Sequence, residues 1–178
     1  MKQALVIIDV QKDYFENGKM ELPHSNKILK NILEIRKSFL TKAEPVIYIK
    51  QGSNEELGFL IKDTEGAEFH EEIFPKGENN EYIVDKTTPN SFHQTNLEKI
   101  LVQNQVEQVV IVGMMTHVCV DSTTRRASEL GYNPIVIADA CCGPNVSFNG
   151  QSLDSDALNI AFMAALENFA QVKVSYFN

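Results

Sequence analysis

The sequence has 178 residues, 43% of them hydrophobic, and carries a formal net charge of -8. A chain of this length buries about 70% of its unfolded surface, which predicts a single domain over residues 1–178. The excess of acidic residues argues against nucleic-acid and anionic-membrane partners, because both bind clustered Lys and Arg.

The first residues contain one Lys and a short apolar run that Asp9 interrupts. This run is too short for a signal peptide or a membrane span, so we expect a cytoplasmic protein. The three cysteines form an odd count without a secretory signal, which favours free thiols over disulfides.

The apolar run 4–8 predicts a central strand that ends at Asp9. In an open parallel sheet, ligands bind beyond the carboxyl ends of the strands, so we expect the Asp9 carboxylate to face that crevice. The polar segment 10–23 predicts a loop over this end of the sheet. Its aromatic residues Tyr14 and Phe15 either wall a pocket or pack against the body of the domain.

Apolar residues at helical spacing predict a helix over 25–41, and two strands follow at 46–50 and 81–86. The connection 51–80 is longer than an ordinary loop, so we expect it to include short helices and to cover the crevice. The third strand ends at Lys86. A lysine in such a position is commonly only solvated, which leaves a structural and a functional role open.

After a helix whose buried stripe includes Leu97, the β-branched run 109–112 predicts a buried strand, followed by a turn at 113–116 and another helix. Thr116 is expected to be the N-cap and to place Cys119 in the first helical turn. There the helix dipole would lower the pKa of the thiol and favour a nucleophilic thiolate. The alternative is that Cys119 is a small buried apolar residue.

The remaining predicted elements are a strand over 134–138, an apolar-rich helix and a closing strand over 172–176. Strands that alternate with helices predict a three-layer α/β/α domain with a parallel sheet of about six strands. Cys141 and Cys142 follow the fifth strand and are expected to be small buried residues.

The sequence contains no glycine-rich phosphate-binding motif and no metal-ligand spacing, so we expect no nucleotide, no other cofactor and no metal. Of the four histidines, only His117 lies near Cys119. Residues two apart at a helix start point to different sides, which makes His117 a weak candidate for a catalytic base. The alternative is that it caps the helix or walls a pocket.

Three separated segments resemble, in order and spacing, the motifs of the isochorismatase-like cysteine hydrolases: IIDVQKDYF, KTTPNSF and VGMMTHVCVDSTTRRASELGY. This superfamily includes nicotinamidases and N-carbamoylsarcosine amidohydrolase. The resemblance covers nearly the whole chain and implies the isochorismatase-like fold. It also implies a homo-oligomer, either a dimer or a tetramer.

By this resemblance, Asp9, Lys86 and Cys119 match the catalytic triad of the superfamily. The Met114–Met115 bond falls where these proteins carry a cis peptide, and the backbone N–H groups of Met115 and Cys119 match their oxyanion hole. The side chains that we expect to contact substrate flank these positions in sequence: Gln11, Phe15, Phe92 and His117.

The chain departs from two branches of the superfamily. Nicotinamidases carry an Asp-x-His metal pair after the second strand, where this chain has YIKQG at 48–52. Isochorismatases that cleave a vinyl ether lack the nucleophilic cysteine, which is present here as Cys119. The resemblance therefore implies a metal-independent amidohydrolase that cleaves a C–N bond of a small-molecule amide through a cysteine thioester. The alternatives are a non-catalytic binding protein, nicotinamidase-type activity and a redox role for Cys119.

Overall fold

The computed structural model describes residues 1–77 and 80–177. The strands in these ranges are β1 Gln3–Ile8, β2 Val46–Gln51, β3 Glu81–Lys86, β4 Gln108–Met114, β5 Ile135–Cys142, β6 Val146–Phe148, β7 Gln151–Leu153 and β8 Gln171–Lys173. The α-helices are α1 Ser25–Thr41, α2 Leu97–Gln103, α3 Asp121–Glu129 and α4 Ser155–Leu166. No helix within the described residues is both long and apolar enough to cross a membrane.

Six strands form one parallel sheet in the order β3-β2-β1-β4-β5-β8. Helix α1 packs on one face, whereas buried residues of α2, α3 and α4 belong to the core on the other face. The predicted three-layer α/β/α domain with about six parallel strands is therefore confirmed. Both faces are covered because the central strands are continuous apolar runs, which suits burial on both sides.

Successive side chains of the central strands point into the two cores on opposite faces of the sheet. Leu5 and Ile7 of β1 belong to the core under α1, and Ala4, Val6 and Ile8 belong to the opposite core. All five residues are at most 1% exposed. The alternation follows from the two-residue period of a strand, and it fixes β1 rigidly in the centre of the sheet.

The strand register brings the carboxyl ends of four neighbouring strands to one edge. Ile8 of β1 pairs with Ile49 of β2 and with Gly113 of β4, and Gln51 of β2 pairs with Lys86 of β3. Gly113 has a φ of 126°, and a Cβ at this position would lie 2.1 Å from the Ile8 carbonyl oxygen. Only glycine permits this close approach of β4 to β1 just before the carboxyl edge.

Several predicted boundaries differ from the structure. The closing strand β8 is shorter than the predicted 172–176, and β5 runs to Cys142 instead of ending at residue 138. The segment after β5 contains the hairpin β6–β7, where only turns were predicted, because the Asn-Gly pair at its tip was not recognised as a hairpin signal. The connection 51–80 contains short 3₁₀ helices, as predicted, and its residues 78 and 79 lie outside the described residues.

Candidate active site

The side chains of Asp9, Lys86 and Cys119 meet beyond the carboxyl edge of the sheet. The Lys86 ammonium donates to Asp9 Oδ2 at 2.8 Å and to Cys119 Sγ at 3.3 Å. All three residues are buried, with Cys119 the most exposed at 5%. The three strand-end positions singled out in the sequence thus form one cluster.

The backbone around Asp9 holds its carboxylate in place. Asp9 has a φ of 50°, in the left-handed region, and its N–H donates to the Ile49 carbonyl at 3.1 Å. Aspartate adopts this conformation more readily than most non-glycine residues. Asp9 Oδ2 accepts from Lys86, whereas buried Oδ1 has no hydrogen-bond partner among the described residues. The carboxylate therefore keeps one oxygen free to accept a proton.

Gln51 completes the surroundings of Lys86, and no pattern in the sequence pointed to it. Its Oε1 accepts from the Lys86 ammonium at 2.6 Å. The Gln51 backbone is held in turn by Gln11, whose Oε1 accepts from the Gln51 N–H at 2.9 Å and whose Nε2 donates to the Gln51 carbonyl at 2.8 Å. Three acceptors thus surround the buried ammonium, which satisfies its three donors.

The charges of the cluster shift the pKa values of its members. Burial raises the pKa of Asp9, although the neighbouring Lys86 opposes this shift. Burial by itself would lower the pKa of Lys86, but Asp9 and Cys119 outweigh it and the pKa is raised. Lys86 therefore remains a cation over the range in which Asp9 exchanges a proton.

The expectation of a lowered pKa for Cys119 is wrong. Burial and the adjacent Asp9 carboxylate raise the pKa of this thiol, and Lys86 offsets only part of the rise. The start of the helix also differs from the prediction. Residues Thr116–Val120 form a π-helical turn, and Met115 rather than Thr116 occupies the N-cap position. The Thr116 hydroxyl donates to Asn159 Oδ1 at 2.8 Å and does not cap the helix. Cys119 therefore rests as a thiol that needs a nearby base.

A cavity of about 740 Å³ opens onto Cys119. Its residues come from the loop after β1, the end of β2 and the connection that follows, the segment after β3, and the π-helical turn with the residue before it: Tyr14, Gln51, Gly52, Ser53, Asn54, Leu57, Phe59, Leu60, Lys62, Thr87, Pro89, Met115, Val118 and Cys119. This volume suits a small organic molecule, and the mixture of apolar walls with a few polar groups is typical of a ligand pocket.

The structure places the four predicted substrate-contact residues outside this lining. Gln11 supports the Gln51 backbone, and Phe15 packs on the His70 ring. Phe92 stacks on Tyr132, and His117 packs edge-on against Phe162. Sequence proximity to the cluster did not identify the walls, because most of them come from the connection after β2.

The Met114–Met115 peptide bond is cis, as the resemblance implied. Met115 and Cys119 both line the cavity. The Met115 carbonyl accepts the N–H groups of Val118 and Val120 at 3.1 and 3.2 Å. These bonds hold the π-helical turn against the end of β4.

The residues at the carboxyl end of β2 do not fit the metal site of nicotinamidases. Lys50 pairs with Glu68 at 2.9 Å, and Gln51 accepts from the Lys86 ammonium. Neither a carboxylate nor an imidazole is present at this position to bind a cation. Within residues 1–77 and 80–177, no three His, Cys, Asp or Glu side chains form a group that could hold a metal ion.

Comparisons with known proteins identify the family. The isochorismatase domain model matches residues 3–168. The isochorismatase family protein YddQ of Bacillus subtilis is 36% identical over 177 residues, which cover 98% of this chain and 97% of YddQ.

Solved structures show the same fold. An isochorismatase-family structure from Oleispira antarctica superposes with a TM-score of 0.91 at 32% identity, and the match covers 96% of this chain and 92% of that one. N-carbamoylsarcosine amidase from Thermoplasma acidophilum shares the fold, with a TM-score of 0.80 at 24% identity over 97% of this chain and 96% of that one. The chain therefore belongs to the isochorismatase family of hydrolases.

Proposed function

We propose that the protein is a metal-independent cysteine amidohydrolase that cleaves a C–N bond of a small-molecule amide. The observation that carries this proposal is the contact of one buried ammonium, on Lys86, with both the Asp9 carboxylate and the Cys119 sulfur. The nucleophile, which lines the cavity, thereby has a proton acceptor and a fixed cation beside it. This is the combination that covalent hydrolysis of an amide requires.

In the first half-reaction, Asp9 takes the proton of the Cys119 thiol while Sγ attacks the amide carbonyl. The raised pKa of Asp9, which burial causes, makes the carboxylate a better base than an exposed aspartate. The backbone N–H groups of Met115 and Cys119 hold the carbonyl oxygen as it becomes negative. The protonated Asp9 then gives its proton to the leaving nitrogen, the C–N bond breaks, and an amine and a thioester result.

In the second half-reaction, water attacks the thioester carbonyl. Asp9, again a carboxylate, takes one proton from this water, and the same two N–H groups hold the oxyanion. The C–S bond breaks, the carboxylic acid leaves, and the proton on Asp9 returns to the Cys119 sulfur. Lys86 stays protonated throughout and balances the negative charge that moves between sulfur and carboxylate.

The charge of the cavity restricts its substrate. Lys62 is the only charged side chain that lines it among the described residues, and it makes no ion pair within them. An uncovered cation at the wall repels cationic molecules and favours neutral or anionic ones. The proposed substrate is therefore a neutral or acidic amide that fits about 740 Å³.

The test is the release of ammonia or amine from a panel of small neutral and acidic primary and N-substituted amides. We expect Cys119→Ala to abolish turnover and Cys142→Ala to retain it, since Cys142 is buried outside the cavity lining. Mass spectrometry of the quenched reaction should show an acyl adduct on Cys119. Retained turnover in Cys119→Ala would overturn the covalent mechanism.

Self-association is part of the proposal, since the resemblance implied a dimer or tetramer. Large apolar side chains are exposed on α4 and on the hairpin that precedes it: Ile160 is 71% and Phe148 is 88% exposed. Apolar surface of this kind commonly marks an interface, and a second copy of the chain is the proposed partner. Sedimentation should give a molecular mass of two or four times the 20.0 kDa of one chain, and Ile160→Glu should reduce this mass. A wild-type monomer would contradict this part.

A further inference from the structure

Tyr14 lines the cavity, and its hydroxyl has no protein partner among the described residues. The residue ends the 3₁₀ turn Lys12–Tyr14 that follows β1, is 1% exposed, and lines the cavity together with Cys119. Its N–H donates to the Gln11 carbonyl at 3.1 Å, and its carbonyl accepts the Leu22 N–H at 3.0 Å. The backbone is thus fixed on both sides, whereas the hydroxyl makes no hydrogen bond within residues 1–77 and 80–177.

Two other tyrosines of the chain pair their hydroxyl groups within the protein. The Tyr48 hydroxyl donates to Glu81, and the Tyr82 hydroxyl donates to Asn104 Oδ1 at 3.1 Å. Tyrosine O–H groups that are buried usually find such a partner, because an unsatisfied buried donor is costly. A donor that remains unpaired at the wall of a cavity is therefore available to a ligand.

The hydroxyl is a donor under all ordinary conditions. Burial raises the pKa of Tyr14 well above its usual value, and the nearby Asp9 carboxylate adds to this shift. Tyr14 lines the same cavity as Met115 and Cys119. The ring is held from the side by Phe59, with the ring centroids 5.9 Å apart.

We infer that the Tyr14 hydroxyl recognises the substrate by donating to an acceptor other than the scissile carbonyl. The inference rests on the proposed function, in which the scissile oxygen is held by the Met115 and Cys119 N–H groups, so that Tyr14 needs a different acceptor. An amide nitrogen is a poor acceptor, because its lone pair is delocalised into the carbonyl. The substrate class is therefore small amides that carry a second carbonyl or carboxylate oxygen close to the bond that breaks.

The test compares two uncharged probes of similar shape, malonamide and 3-methylbutanamide, of which only malonamide has a second carbonyl. Each probe is titrated for its protection of Cys119 from iodoacetamide, with alkylation located by mass spectrometry. We expect Tyr14→Phe to weaken protection by malonamide about tenfold and to leave protection by 3-methylbutanamide unchanged, because only malonamide loses a hydrogen bond. An unchanged ratio of the two constants in Tyr14→Phe would overturn the inference, as would a failure of malonamide to protect the wild type.

Tyr48→Phe is the matched control, since Tyr48 is buried, bonded to Glu81 and absent from the cavity lining. This control should lower Tm without changing the malonamide preference, whereas Tyr14→Phe should leave Tm unchanged. A lower Tm in Tyr14→Phe would reveal a structural partner for the hydroxyl and contradict the inference. Because protection measures binding, it is separate from ammonia release: a protein that binds malonamide through Tyr14 but hydrolyses no amide would overturn the proposed function alone.

Discussion

Two groups of buried cysteines lie at the same edge of the sheet, and their surroundings differ. Cys119 follows β4, and Cys141 and Cys142 end the neighbouring β5, where Cys142 pairs in register with Met114. The three thiols are free and between 2% and 5% exposed. By burial and position alone, they are equivalent.

Their partners separate them. Burial raises the pKa of Cys142 to about 12, and no charged group contributes to that shift. The pKa of Cys119 is also raised, but this sulfur accepts from the Lys86 ammonium at 3.3 Å and adjoins the Asp9 carboxylate. We therefore expect a thiol to be activated by a proton acceptor and a cation beside it, as at Cys119, and not by a strand-end position alone.

Removing the proton acceptor should make the surroundings of Cys119 resemble those of Cys142. The resulting loss of activity is the largest effect that we expect. Asp9→Asn should lower kcat/KM for amide hydrolysis by about 10²- to 10⁴-fold, the range of a lost general base. The matched variant Asp139→Asn, in β5, should stay within about twofold. Rates of ammonia release measure both, and a loss below tenfold in Asp9→Asn would mean that another group takes the proton.

Removing the Lys86 cation should test whether the buried ion pair between Lys86 and Asp9 stabilises the cluster. Lys86→Met leaves the fully buried Asp9 carboxylate without its ion pair and should lower the free energy of unfolding by about 3 kcal/mol at pH 7. The exposed Lys62→Met serves as control and should change it by less than about 0.5 kcal/mol. Urea unfolding measures both values. The difference in unfolding free energy between Lys86→Met and the wild type should become smaller as the pH falls, since a protonated Asp9 needs no cation. A difference that stays constant with pH would point to lost packing instead.

The pH profile of hydrolysis should show the environment of Asp9. Burial raises the pKa of Asp9, so the carboxylate forms only at a pH above the usual value of about 3.9. Activity depends on the carboxylate, and kcat/KM should therefore rise with pH through that raised pKa, about tenfold per unit on the acid side. An acid limb at or below pH 4 would show that Asp9 is not the base.

Alkylation should distinguish the cysteines directly. All three thiols have raised pKa values because they are buried, so reaction with iodoacetamide should keep increasing above the pH of about 8.5 at which a free thiol titrates. Cys119 should still react about tenfold faster than Cys142, because Asp9 can accept its proton. Peptide mass spectrometry gives the three rates, and the advantage of Cys119 should vanish in Asp9→Asn. Equal rates in the wild type would remove the distinction between the two groups.

The smallest effect on activity should come from Lys62, a charged residue of the cavity wall. Lys62→Met should lower the preference for an acidic amide over a neutral amide about threefold, since an exposed charge is screened by solvent. The measurement is the ratio of kcat/KM for succinamate and butanamide at low and at high salt. A ratio that stays the same in the variant would show that Lys62 does not face the substrate.

The edge of the sheet that carries the cluster could be predicted from local patterns. Apolar runs locate the strand ends, and parallel strands bring their carboxyl ends to one side, so the sequence alone predicts that Asp9, Lys86 and Cys119 lie together. The loops were harder to predict. Phe15 was expected at the pocket, but the 3₁₀ turn directs Tyr14 to the cavity and Phe15 towards His70. Tyr14 and Phe15 are both aromatic, so the hydrophobic pattern of the sequence does not show which of the two the turn directs to the cavity.

Local sequence patterns are sufficient to predict the parallel sheet and the strand ends at which Asp9, Lys86 and Cys119 lie, the resemblance singles out these three as a triad, and the segment 48–52 lacks the metal pair of nicotinamidases. The tertiary structure decided the acceptors around Lys86, the walls of the cavity and the direction in which the pKa of Cys119 moves. The physical reason is range. Strand patterns arise from neighbours along the chain, whereas burial, charge and hydrogen bonding at the site depend on groups such as Gln51 and Asp9, which are far apart in sequence and meet only in the folded protein.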